Sequence, residues 1–234
     1  MNDGKPVISV ILVVYNAISY IEDAIQNLLE KSNADCETVI IDGGSSDGTQ
    51  EVLLKYKERL GILVMEKDKG IYDAMNKGIR LATGRYLYFI GVDDRLLINL
   101  SEVITYLKDD NTVYYGNVLL DQQNKIYDGP FTTAKLVKKN ICHQAMFHPA
   151  KVFRKYQYGV GFKTLADYMF NIRLWGDKEF RFEYISLTIA RYCEQGISST
   201  YVERKFSFYV FKAIFRYLGL RYVLLKFLNP FLRN

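Results

Sequence analysis

The chain has 234 residues, 49% hydrophobic and 24% charged, which is ordinary for a globular protein and allows one domain or slightly more. Its three cysteines, Cys36, Cys142 and Cys193, are odd in number and far apart, which argues against a disulfide framework or a cysteine metal site and fits a reducing cytosol. Of 31 basic residues, seven follow Glu203, where no acidic residue occurs, so residues 1–203 carry 24 basic and 26 acidic side chains and lack the positive charge of a nucleic-acid-binding protein.

The first part of the chain alternates between apolar runs and amphipathic segments. Four runs have the length and composition of buried strands: Val7–Val14, Glu37–Asp42, Ile62–Glu66 and Tyr86–Val92. Three helices are predicted between them: one from a Ser19–Glu22 capping box to about Lys31, one over Thr49–Arg59 and one over Gly70–Ala82. Gly84 is suited to a left-handed cap after the third helix. This βαβαβαβ order predicts an open parallel sheet with right-handed crossovers.

Polar residues follow these strands at the points where they end: Tyr15, Asn16, Asp42, Asp68, Asp93 and Asp94. In open parallel sheets, ligands bind at the carboxyl ends of the strands, so these side chains are predicted to meet in one site. A pair of carboxylates after a buried strand is costly unless negative charge is needed there, and a hard divalent cation is the usual reason. The alternative for Asp93 and Asp94 is a surface turn, where Asp is common.

The loop from Asp42 to Gly48 is rich in glycine but matches neither the GxGxxG dinucleotide fingerprint nor the GxxxxGKS/T phosphate loop. Its Asp42 could accept hydrogen bonds from a base or a ribose, while Asp47 caps the next helix. A structural turn is the alternative interpretation of the same loop.

Three blocks occur in order: SVILVVYN, ETVIIDGGSSDGT and DKGIYDAMNKGIRLATGRYLYFIGVDD. Together they resemble the inverting family 2 glycosyltransferases of GT-A fold, above all the bacterial members that build surface polysaccharides, and the similarity covers about residues 5 to 200. The resemblance implies an α/β fold with a Rossmann-like, mostly parallel open sheet flanked by helices. It also implies a nucleotide-sugar donor, first of all a UDP-sugar, and Mg²⁺ or Mn²⁺ as cofactor.

The resemblance assigns roles to individual positions. Asp42 corresponds to the residue that binds the nucleotide base, Tyr15 and Asn16 line its pocket, and Asp93 and Asp94 form the metal site. The complete set implied for the donor is Tyr15, Asn16, Asp42, Asp68, Asp73, Asn76 and Asp93.

Three positions depart from the family pattern. Gly91 stands where the DxD motif usually has Asp or Asn, two places before Asp93, so ribose contact and metal ligation are left open between Asp93 and Asp94. Gly43 stands where an Asp often follows the first loop carboxylate, and Met75 stands where an Arg is frequent. These departures bear on the identity of the donor more than on the type of reaction.

After Asp94 the periodicity changes. A helix, a strand and a hairpin partner are predicted: Leu97–Lys108, Thr112–Leu120 and Lys125–Tyr127. The region Phe131–Ser199 is less regular. The predicted organisation is a nucleotide-sugar-binding half, an acceptor-binding half of the same domain and a basic amphipathic helical tail: residues 1–111, 112–201 and 202–234.

Two segments of the irregular region, CHQAMFHP and LADYMFNIRLW, resemble acceptor-side segments of the same family. In the family an Asp before an aromatic residue acts as the base, and this position is Asp167; the alternative is a carboxylate stabilised by the dipole at a helix N-terminus. His143 and Gln144 are expected on the acceptor side, although His143 fits a hydrogen-bonded core histidine equally well. His148 is expected to be structural, and Gln195–Ser199 resembles a closing loop near the donor phosphates.

The tail combines basic and aromatic residues in a helical pattern. One predicted face carries Lys205, Lys212 and Arg216, and another carries Phe208, Phe211 and Phe215. A break at Gly219 and a second short helix over Arg221–Leu228 follow. This composition suits a helix in an anionic membrane interface, whereas packing on the main domain or on a second subunit is the alternative. The expected location is the cytoplasm, peripheral at the inner face of the plasma membrane, and an oligomer is compatible with the sequence.

These observations predict a metal-dependent inverting hexosyltransferase. Asp167 would deprotonate an acceptor hydroxyl, which attacks the anomeric carbon from the face opposite the leaving diphosphate, while the metal neutralises charge on that diphosphate. A saccharide or a lipid-linked saccharide is the expected acceptor. The alternative is a non-catalytic nucleotide-sugar-binding or scaffold protein of the same fold, which Gly91 favours and the retained Asp93, Asp94 and Asp167 oppose. A nicotinamide oxidoreductase is weakened by the lack of GxGxxG.

Overall fold

The structure, a computed structural model, describes residues 5–195 and 206–227. Within them, nine strands form one sheet: β1 (Ile8–Val14), β2 (Cys36–Asp42), β3 (Ile62–Met65), β4 (Tyr86–Gly91), β5 (Arg95–Leu96), β6 (Thr112–Leu120), β7 (Lys125–Tyr127), β8 (Met146–Pro149) and β9 (Arg181–Tyr192). Their order across the sheet is β3-β2-β1-β4-β8-β6-β9-β5, and β7 pairs with β6.

The α-helices lie between and after these strands. Their bounds are α1 (Ile21–Lys31), α2 (Thr49–Lys55), α3 (Ile71–Leu81), α4 (Leu100–Ile104), α5 (Thr133–Leu136), α6 (Val152–Lys155), α7 (Ala166–Trp175), α8 (Phe206–Leu218) and α9 (Leu220–Phe227). Short 3₁₀ turns occur over Lys57–Arg59 and His143–Ala145.

The strands β1 to β4 form the parallel part of the sheet. β1 pairs in parallel with β2 on one side and β4 on the other, and β2 pairs in parallel with β3. Val10 and Leu12 pack in the apolar layer that contains α1, whereas Ile11 packs in the opposite layer with α3. Because both faces of β1 are covered, the strand is apolar at nearly every position. The predicted βαβαβαβ order is confirmed.

Two predicted helix ends were wrong. α1 begins at Ile21 without a capping box, and Glu22 instead accepts a hydrogen bond from the Tyr56 hydroxyl (2.9 Å). α2 ends at Lys55, and the rest of the predicted helix is the 3₁₀ turn over Lys57–Arg59. The first error concerns a contact outside the local sequence window, since Glu22 lies on α1 and Tyr56 directly follows α2.

Gly84 is required for space and not for backbone conformation. α3 ends in extended conformation at Ala82, and Gly84 is not among the residues with positive φ, so the predicted left-handed cap was wrong. A Cβ at Gly84 would lie 2.6 Å from the backbone nitrogen of Ser9, so only glycine allows this close approach to β1. The predicted helix over Leu97–Lys108 is shortened to α4.

The second half extends the sheet in mixed directions. β8 is antiparallel to β4 and β6, and β9 is parallel to β6 and antiparallel to β5. The predicted strand and hairpin partner are confirmed as β6 and β7. The sequence interpretation missed β8 and β9. The twelve residues of β9, RFEYISLTIARY, alternate polar and apolar and carried a strand signal, whereas the four residues of β8 are too few to show a period.

The tail folds back on the second half of the domain. α8 packs against α7. Its Val210 and Ile214 are buried in the apolar layer that also contains Ile11 and the buried side of α3. Lys226 on α9 donates a hydrogen bond to the carbonyl of Val137 (2.9 Å). The predicted break is confirmed, because Gly219 has φ +98° between the two helices. One face of the tail therefore packs on the main domain, as the alternative for this segment proposed.

In the described ranges, no helix combines the length and the apolar character needed to cross a membrane. The predicted closing loop lies largely outside the described residues, since residues 196–205 are not among them. The same holds for the end of the predicted second tail helix and for residues 228–234.

Candidate active site

The ends of β1 and β2 are joined through side-chain and backbone hydrogen bonds. The amide of Asn16, which has φ +46°, donates to Ser45 Oγ (2.7 Å), and the amide of Ser46 donates back to Asn16 Oδ1 (2.9 Å). Tyr15 beside them is 65% exposed, a high value for an aromatic side chain at the end of a buried strand. This edge therefore combines the exposed ring of Tyr15 with a loop, Ser45–Ser46, that hydrogen bonds to Asn16 hold in place.

Asp42 holds this loop through hydrogen bonds to its carboxylate. Its side chain is completely buried, and its Oδ2 accepts from the amides of Gly44 and Ser45 (both 3.1 Å) and from Gln50 Nε2 (2.6 Å). The Ser45 hydroxyl donates to Oδ1. These hydrogen bonds hold the loop that carries Asp42. Its contact with a nucleotide base stays a prediction.

Two of the predicted donor residues on α3 also make internal contacts. Asn76 is buried, and it donates to the carbonyl of Tyr158 (2.9 Å) and accepts from its amide (3.1 Å). This reciprocal pair joins α3 to the second half of the domain, and a contact of Asn76 with the donor stays a prediction. Asp73 accepts from the amide of Lys69 (3.0 Å) and closes the turn that begins α3.

The two carboxylates after β4 lie in different environments. Asp94 is 3% exposed and accepts three hydrogen bonds, from the amide of Gly91 (3.2 Å), Gln144 Nε2 (2.7 Å) and the amide of Cys193 (2.8 Å). Burial, and after it the charge of Asp93, raises the pKa of Asp94 to about 7. Asp93 is half-buried. Asp94 therefore organises the turn, and Asp93 is the more accessible carboxylate.

The glycine at position 91 has a steric explanation. A Cβ at Gly91 would lie 2.7 Å from Asp94 Oδ2 and 2.9 Å from Asp93 Oδ1. Asp94 is held by three donors and cannot move freely, so a longer residue at position 91 would displace the pair. The hydrogen-bonded position of Asp94 therefore leaves no space for the Asp or Asn that the DxD pattern usually has at position 91.

The donor set at this turn fits a cation that is shared with a phosphate group. No group of three or more His, Cys, Asp or Glu side chains that could hold a metal ion occurs in the part of the chain that the structure describes. Mg²⁺ commonly binds through only one or two carboxylates and takes its remaining ligands from water and substrate phosphates. Asp93, with Asp94 behind it, provides such an incomplete set.

Asp167 is fixed by side chains from two other parts of the chain. The hydroxyl of Tyr72, on α3, donates to Asp167 Oδ1 (3.1 Å), and Asn140 Nδ2 donates to Oδ2 (2.6 Å). The hydroxyl of Tyr72 also accepts from the amide of Ala166 (3.0 Å). α7 begins after Leu165, a non-glycine residue with φ +64° and no side-chain cap. Asp167 lies in the first turn of α7, so the alternative given by the sequence, a carboxylate stabilised by the helix dipole, is compatible with these contacts.

One short segment joins the two carboxylate sites. Asn140 holds Asp167 at one end, and Gln144 holds Asp94 at the other. Between them, burial raises the pKa of Cys142, and the charges of Asp94 and Asp167 raise it further. The Cα atoms of Asn140 and Gln144 are four residues apart and lie at most about 14 Å from each other even in an extended chain, so the segment that contacts both carboxylates is short.

The sequence interpretation missed Tyr72 and Asn140. Tyr72 lies in an amphipathic helix, where its position predicts only burial. Asn140 lies in a region without a clear period. Nothing in the local pattern of either residue indicates Asp167, because each contact joins segments that are distant in sequence.

His143 lies in an aromatic cluster beside this segment. Its Nε2 is 3.3 Å from the hydroxyl of Tyr158, and its ring centroid is 5.0 Å from that of Phe89. Burial lowers the pKa of His143, which favours the neutral ring. These contacts match a hydrogen-bonded core histidine. A role of His143 toward an acceptor stays a prediction.

His148 is structural, as expected, and it is unusual in its surroundings. It is 1% exposed, and neither ring nitrogen has a hydrogen-bond partner in residues 5–195 and 206–227. The side chain of the neighbouring Asn171 donates through Nδ2 to Asn140 Oδ1 (2.8 Å). Burial, with a smaller contribution from His143, lowers the pKa of His148 to about 3.

A parallel sheet edge with a held loop, an exposed aromatic ring and carboxylates from both halves of the domain is the position at which open α/β proteins bind their ligands. The family model "Glycosyl transferase family 2" matches residues 9–174. The chain therefore belongs to glycosyl transferase family 2.

Curated relatives agree with this assignment. A PGL/p-HBAD biosynthesis glycosyltransferase of Mycobacterium tuberculosis is 33% identical over 213 residues, which cover 87% of this chain and 83% of the relative. The putative teichuronic acid biosynthesis glycosyltransferase TuaG of Bacillus subtilis is 39% identical over 98 residues, or 41% of this chain and 39% of the relative. The resemblance to bacterial family 2 glycosyltransferases predicted from the sequence is confirmed.

Solved structures share the fold. S. aureus TarS 1-349 superposes with a TM-score of 0.75 at 16% identity over 95% of this chain and 70% of that chain. The complex of TarS 1-349 with UDP-GlcNAc gives a TM-score of 0.70 and covers 66% of that chain. The mannosyltransferase PcManGT from Pyrobaculum calidifontis, in complex with GDP-Man and Mn²⁺, gives 0.60 at 17% identity over 79% of this chain and 55% of that chain. The predicted GT-A α/β fold is confirmed.

Proposed function

We propose that this glycosyltransferase moves a hexose, with inversion, from a UDP-sugar to a hydroxyl group during the assembly of a bacterial surface glycan. The observation that carries the proposal is the segment Asn140–Gln144, which ties Asp167 to the turn that holds Asp93 and Asp94. An acceptor-side base and a diphosphate-side carboxylate are thereby kept at a fixed separation. The mycobacterial and Bacillus relatives, named for glycan biosynthesis, support the type of product.

The donor nucleoside is proposed to lie on the edge formed by Tyr15 and Asn16. The exposed ring of Tyr15 can contact the face of a base, and the loop held by Asp42 forms the floor. Asp68, in the loop that precedes α3, and Asp73, in the first turn of α3, are proposed to border this edge. A uridine nucleotide is favoured because TarS is known in complexes with UDP and UDP-GlcNAc.

Asp93 would hold Mg²⁺ or Mn²⁺, with Asp94 placed behind it as a hydrogen-bonded support. The cation supplies neutralisation of the charge that develops on the leaving diphosphate. PcManGT, whose structure contains Mn²⁺ and a nucleotide-sugar, supports this assignment. The chain's own contribution is to keep one carboxylate accessible while Gln144 and two backbone amides restrain the other.

Asp167 is the proposed general base. An acceptor hydroxyl within hydrogen-bond reach of its carboxylate would give up a proton as the oxygen attacks the anomeric carbon. Tyr72 and Asn140 hold the carboxylate on both oxygens, so the base is oriented before the acceptor arrives. Gln144 and His143 lie on the same segment and border the acceptor side.

The outward face of the tail is proposed to contact an anionic membrane, where a lipid-linked saccharide acceptor would be found. Its exposed apolar residues are Phe208, Phe215, Leu220, Leu224 and Phe227. Its exposed charged residues in α8 and α9 are basic: Lys212, Arg216 and Arg221. Charge attraction to anionic lipid and burial of aromatic rings act together on such a surface. Vesicle sedimentation at low salt tests it, and we expect Lys212→Glu/Arg216→Glu to release the protein while leaving its thermal unfolding unchanged. Equal binding by the variant would contradict this role.

The experiment for the whole proposal measures UDP release from UDP-GlcNAc, UDP-glucose and UDP-galactose, with and without saccharide and lipid-linked acceptors. Transfer that requires a divalent cation and is lost in Asp93→Ala is expected. Glu58→Gln, a substitution of an exposed carboxylate on the 3₁₀ turn, is the matched control. Binding of a UDP-sugar without turnover in the presence of any of these acceptors would favour the alternative, a non-catalytic binding protein. Transfer that does not require a divalent cation would remove the metal from the mechanism.

A further inference from the structure

One basic side chain of the tail is turned toward the main domain. Lys226, in the last turn of α9, is half-buried, whereas the other charged residues of α8 and α9 are exposed. Its Nζ donates to the carbonyl of Val137 (2.9 Å) and lies 5.4 Å from the centroid of the Tyr168 ring. Burial lowers the pKa of Lys226 to about 8, so the ammonium form still predominates at neutral pH. A half-buried cation costs free energy, and the hydrogen bond and the ring offset part of this cost.

The carbonyl of Val137 lies close in the chain to the residue that orients the proposed base. Val137 directly follows α5 and precedes Asn140 by three residues. Asn140 Nδ2 donates to Asp167 Oδ2 (2.6 Å), and Asn140 Oδ1 accepts from Asn171 Nδ2 (2.8 Å). Both partners belong to α7, so a shift of the Val137–Asn140 segment relative to α7 would move the amide group away from the carboxylate that it holds.

Side chains from distant parts of the chain hold the backbone of the Val137–Asn140 segment. The hydroxyl of Tyr127, on β7, donates to the carbonyl of Asn140 (2.7 Å), at the end of the segment. Lys226 donates to the carbonyl of Val137, at its beginning. Because the segment lies outside the helices and strands, contacts of this kind take the place of a regular hydrogen-bond ladder. The beginning of the segment therefore depends on the tail, and its end depends on the main domain.

The tail is seated on α7 as well as on this segment. A Cβ at Gly176, which directly follows α7, would lie 2.4 Å from the carbonyl oxygen of Tyr217 on α8, so the two helices meet without space for a side chain. On α9, three residues pack against the apolar layer of the main domain: Tyr222, Val223 and Leu225. The tail thus contacts both of the elements whose relative position places Asn140 against Asp167.

We propose that Lys226 is a positioning residue for the general base: through its bond to Val137, the seated tail fixes the Val137–Asn140 segment and keeps the Asn140 amide on the Asp167 carboxylate. The inference rests on the proposed role of Asp167 and adds the tail to the acceptor side of the active site. A small misplacement of a catalytic group is costly in rate, because the reaction requires a near-attack geometry. Since Lys226 acts through Asn140 and not on the donor, it should change the rate of transfer and leave the affinity for UDP unchanged.

Hydrogen exchange tests the hold on the segment without any acceptor. In Lys226→Met, which keeps the apolar body of the side chain and removes its donor, the amides of residues 137–140 should exchange faster, whereas those of β1 should be unchanged. Lys226→Arg keeps a donor and should restore the slow exchange. Lys55→Met, which removes an exposed lysine in the last turn of α2, is the matched control. Lys226→Gln, whose side chain is shorter, provides a second test if the methionine variant is unfolded. Unchanged exchange in the folded variants that lack the lysine would overturn the proposal.

A double-mutant cycle shows whether Lys226 acts through Asp167. With whichever of UDP-GlcNAc, UDP-glucose and UDP-galactose supports transfer, Lys226→Met should lower kcat by about three- to tenfold and leave the Kd for UDP unchanged. In the Asp167→Asn background the same substitution should have no further effect, because the base is already absent. Equal fold losses in both backgrounds, or no loss with the base intact, would overturn the role of Lys226 and leave Asp167 as the base. Near-normal transfer by Asp167→Asn itself would overturn the proposed base and this inference together.

Discussion

The two halves of the domain hold their carboxylates in different ways. On the donor side, Asp42 and Asp68 are bonded mainly by amides of their own loops, two to three residues away. On the acceptor side, Asp167 is held by Tyr72, which is 95 residues distant, and by Asn140, which is 27 residues distant. The turns that carry Asp42 and Asp68 are therefore built mainly by local hydrogen bonds. Asp94, which Gln144 and Cys193 hold, and the proposed base Asp167 are positioned only when the halves pack together.

The largest effect that tests this comparison is expected at Asp167. Asp167→Asn keeps the shape of the side chain and removes the base, so turnover should fall by about 10²–10⁴-fold. The affinity for UDP should be unchanged, because the donor edge does not depend on Asp167. Single-turnover transfer and UDP titration measure the two quantities separately. Near-normal transfer by this variant would move the search for the base to His143.

Asp94 and Asp93 should respond differently to truncation. Asp94→Ala leaves the amides of Gly91 and Cys193 and the Gln144 side chain without their acceptor, and we expect it to lower the free energy of unfolding by about 1–3 kcal/mol. Asp93→Ala should change stability little and abolish cation-dependent binding of the donor. Urea unfolding and titration with Mn²⁺ distinguish the two. Similar losses of stability in both variants would contradict the division of roles.

Tyr72 tests the contact between the halves. Tyr72→Phe removes the donor to Asp167 Oδ1 and the acceptor for the amide of Ala166, so we expect kcat to fall about tenfold, equivalent to about 1.4 kcal/mol, with an unchanged KM for the donor. Tyr168→Phe is the matched control, because that hydroxyl donates to the carbonyl of Leu136 and not to Asp167. Equal losses of kcat in the two variants would indicate a general effect of packing.

The smallest effect concerns acid stability of the aromatic cluster. His148 is buried without a hydrogen bond in the described ranges, and its folded-state pKa of about 3 lies below the ordinary value of about 6.5. The unfolded chain therefore binds the proton first, so stability is fully present above about pH 6.5 and is lost toward pH 3, by up to about 1.4 kcal/mol per pH unit. Urea unfolding between pH 7 and 5 should show a shallower loss for His148→Leu. Parallel curves for the variant and the wild type would rule out His148 as the cause.

The elements predicted most accurately were those whose signal is local. The strands β1, β2 and β4 were found within about one residue, because a strand covered on both faces must be apolar along its length. The positions of Asp42, Asp68, Asp93 and Asp94 at strand ends followed from the same pattern. The long strand β9 carried an alternating signal that the interpretation overlooked, whereas β8 was too short to carry one.

The sequence by itself determined the family, the parallel half of the sheet and the edge at which the carboxylates gather. The tertiary structure decided what each carboxylate does: Asp42 is enclosed by its own loop, Asp94 is held by Gln144, and Asp68 enters the space left free by Gly43. The physical reason is that the apolar periodicity of a strand or helix depends on residues that are neighbours in the sequence. Burial and hydrogen-bond partners of a polar group depend instead on segments that meet only when the chain is folded.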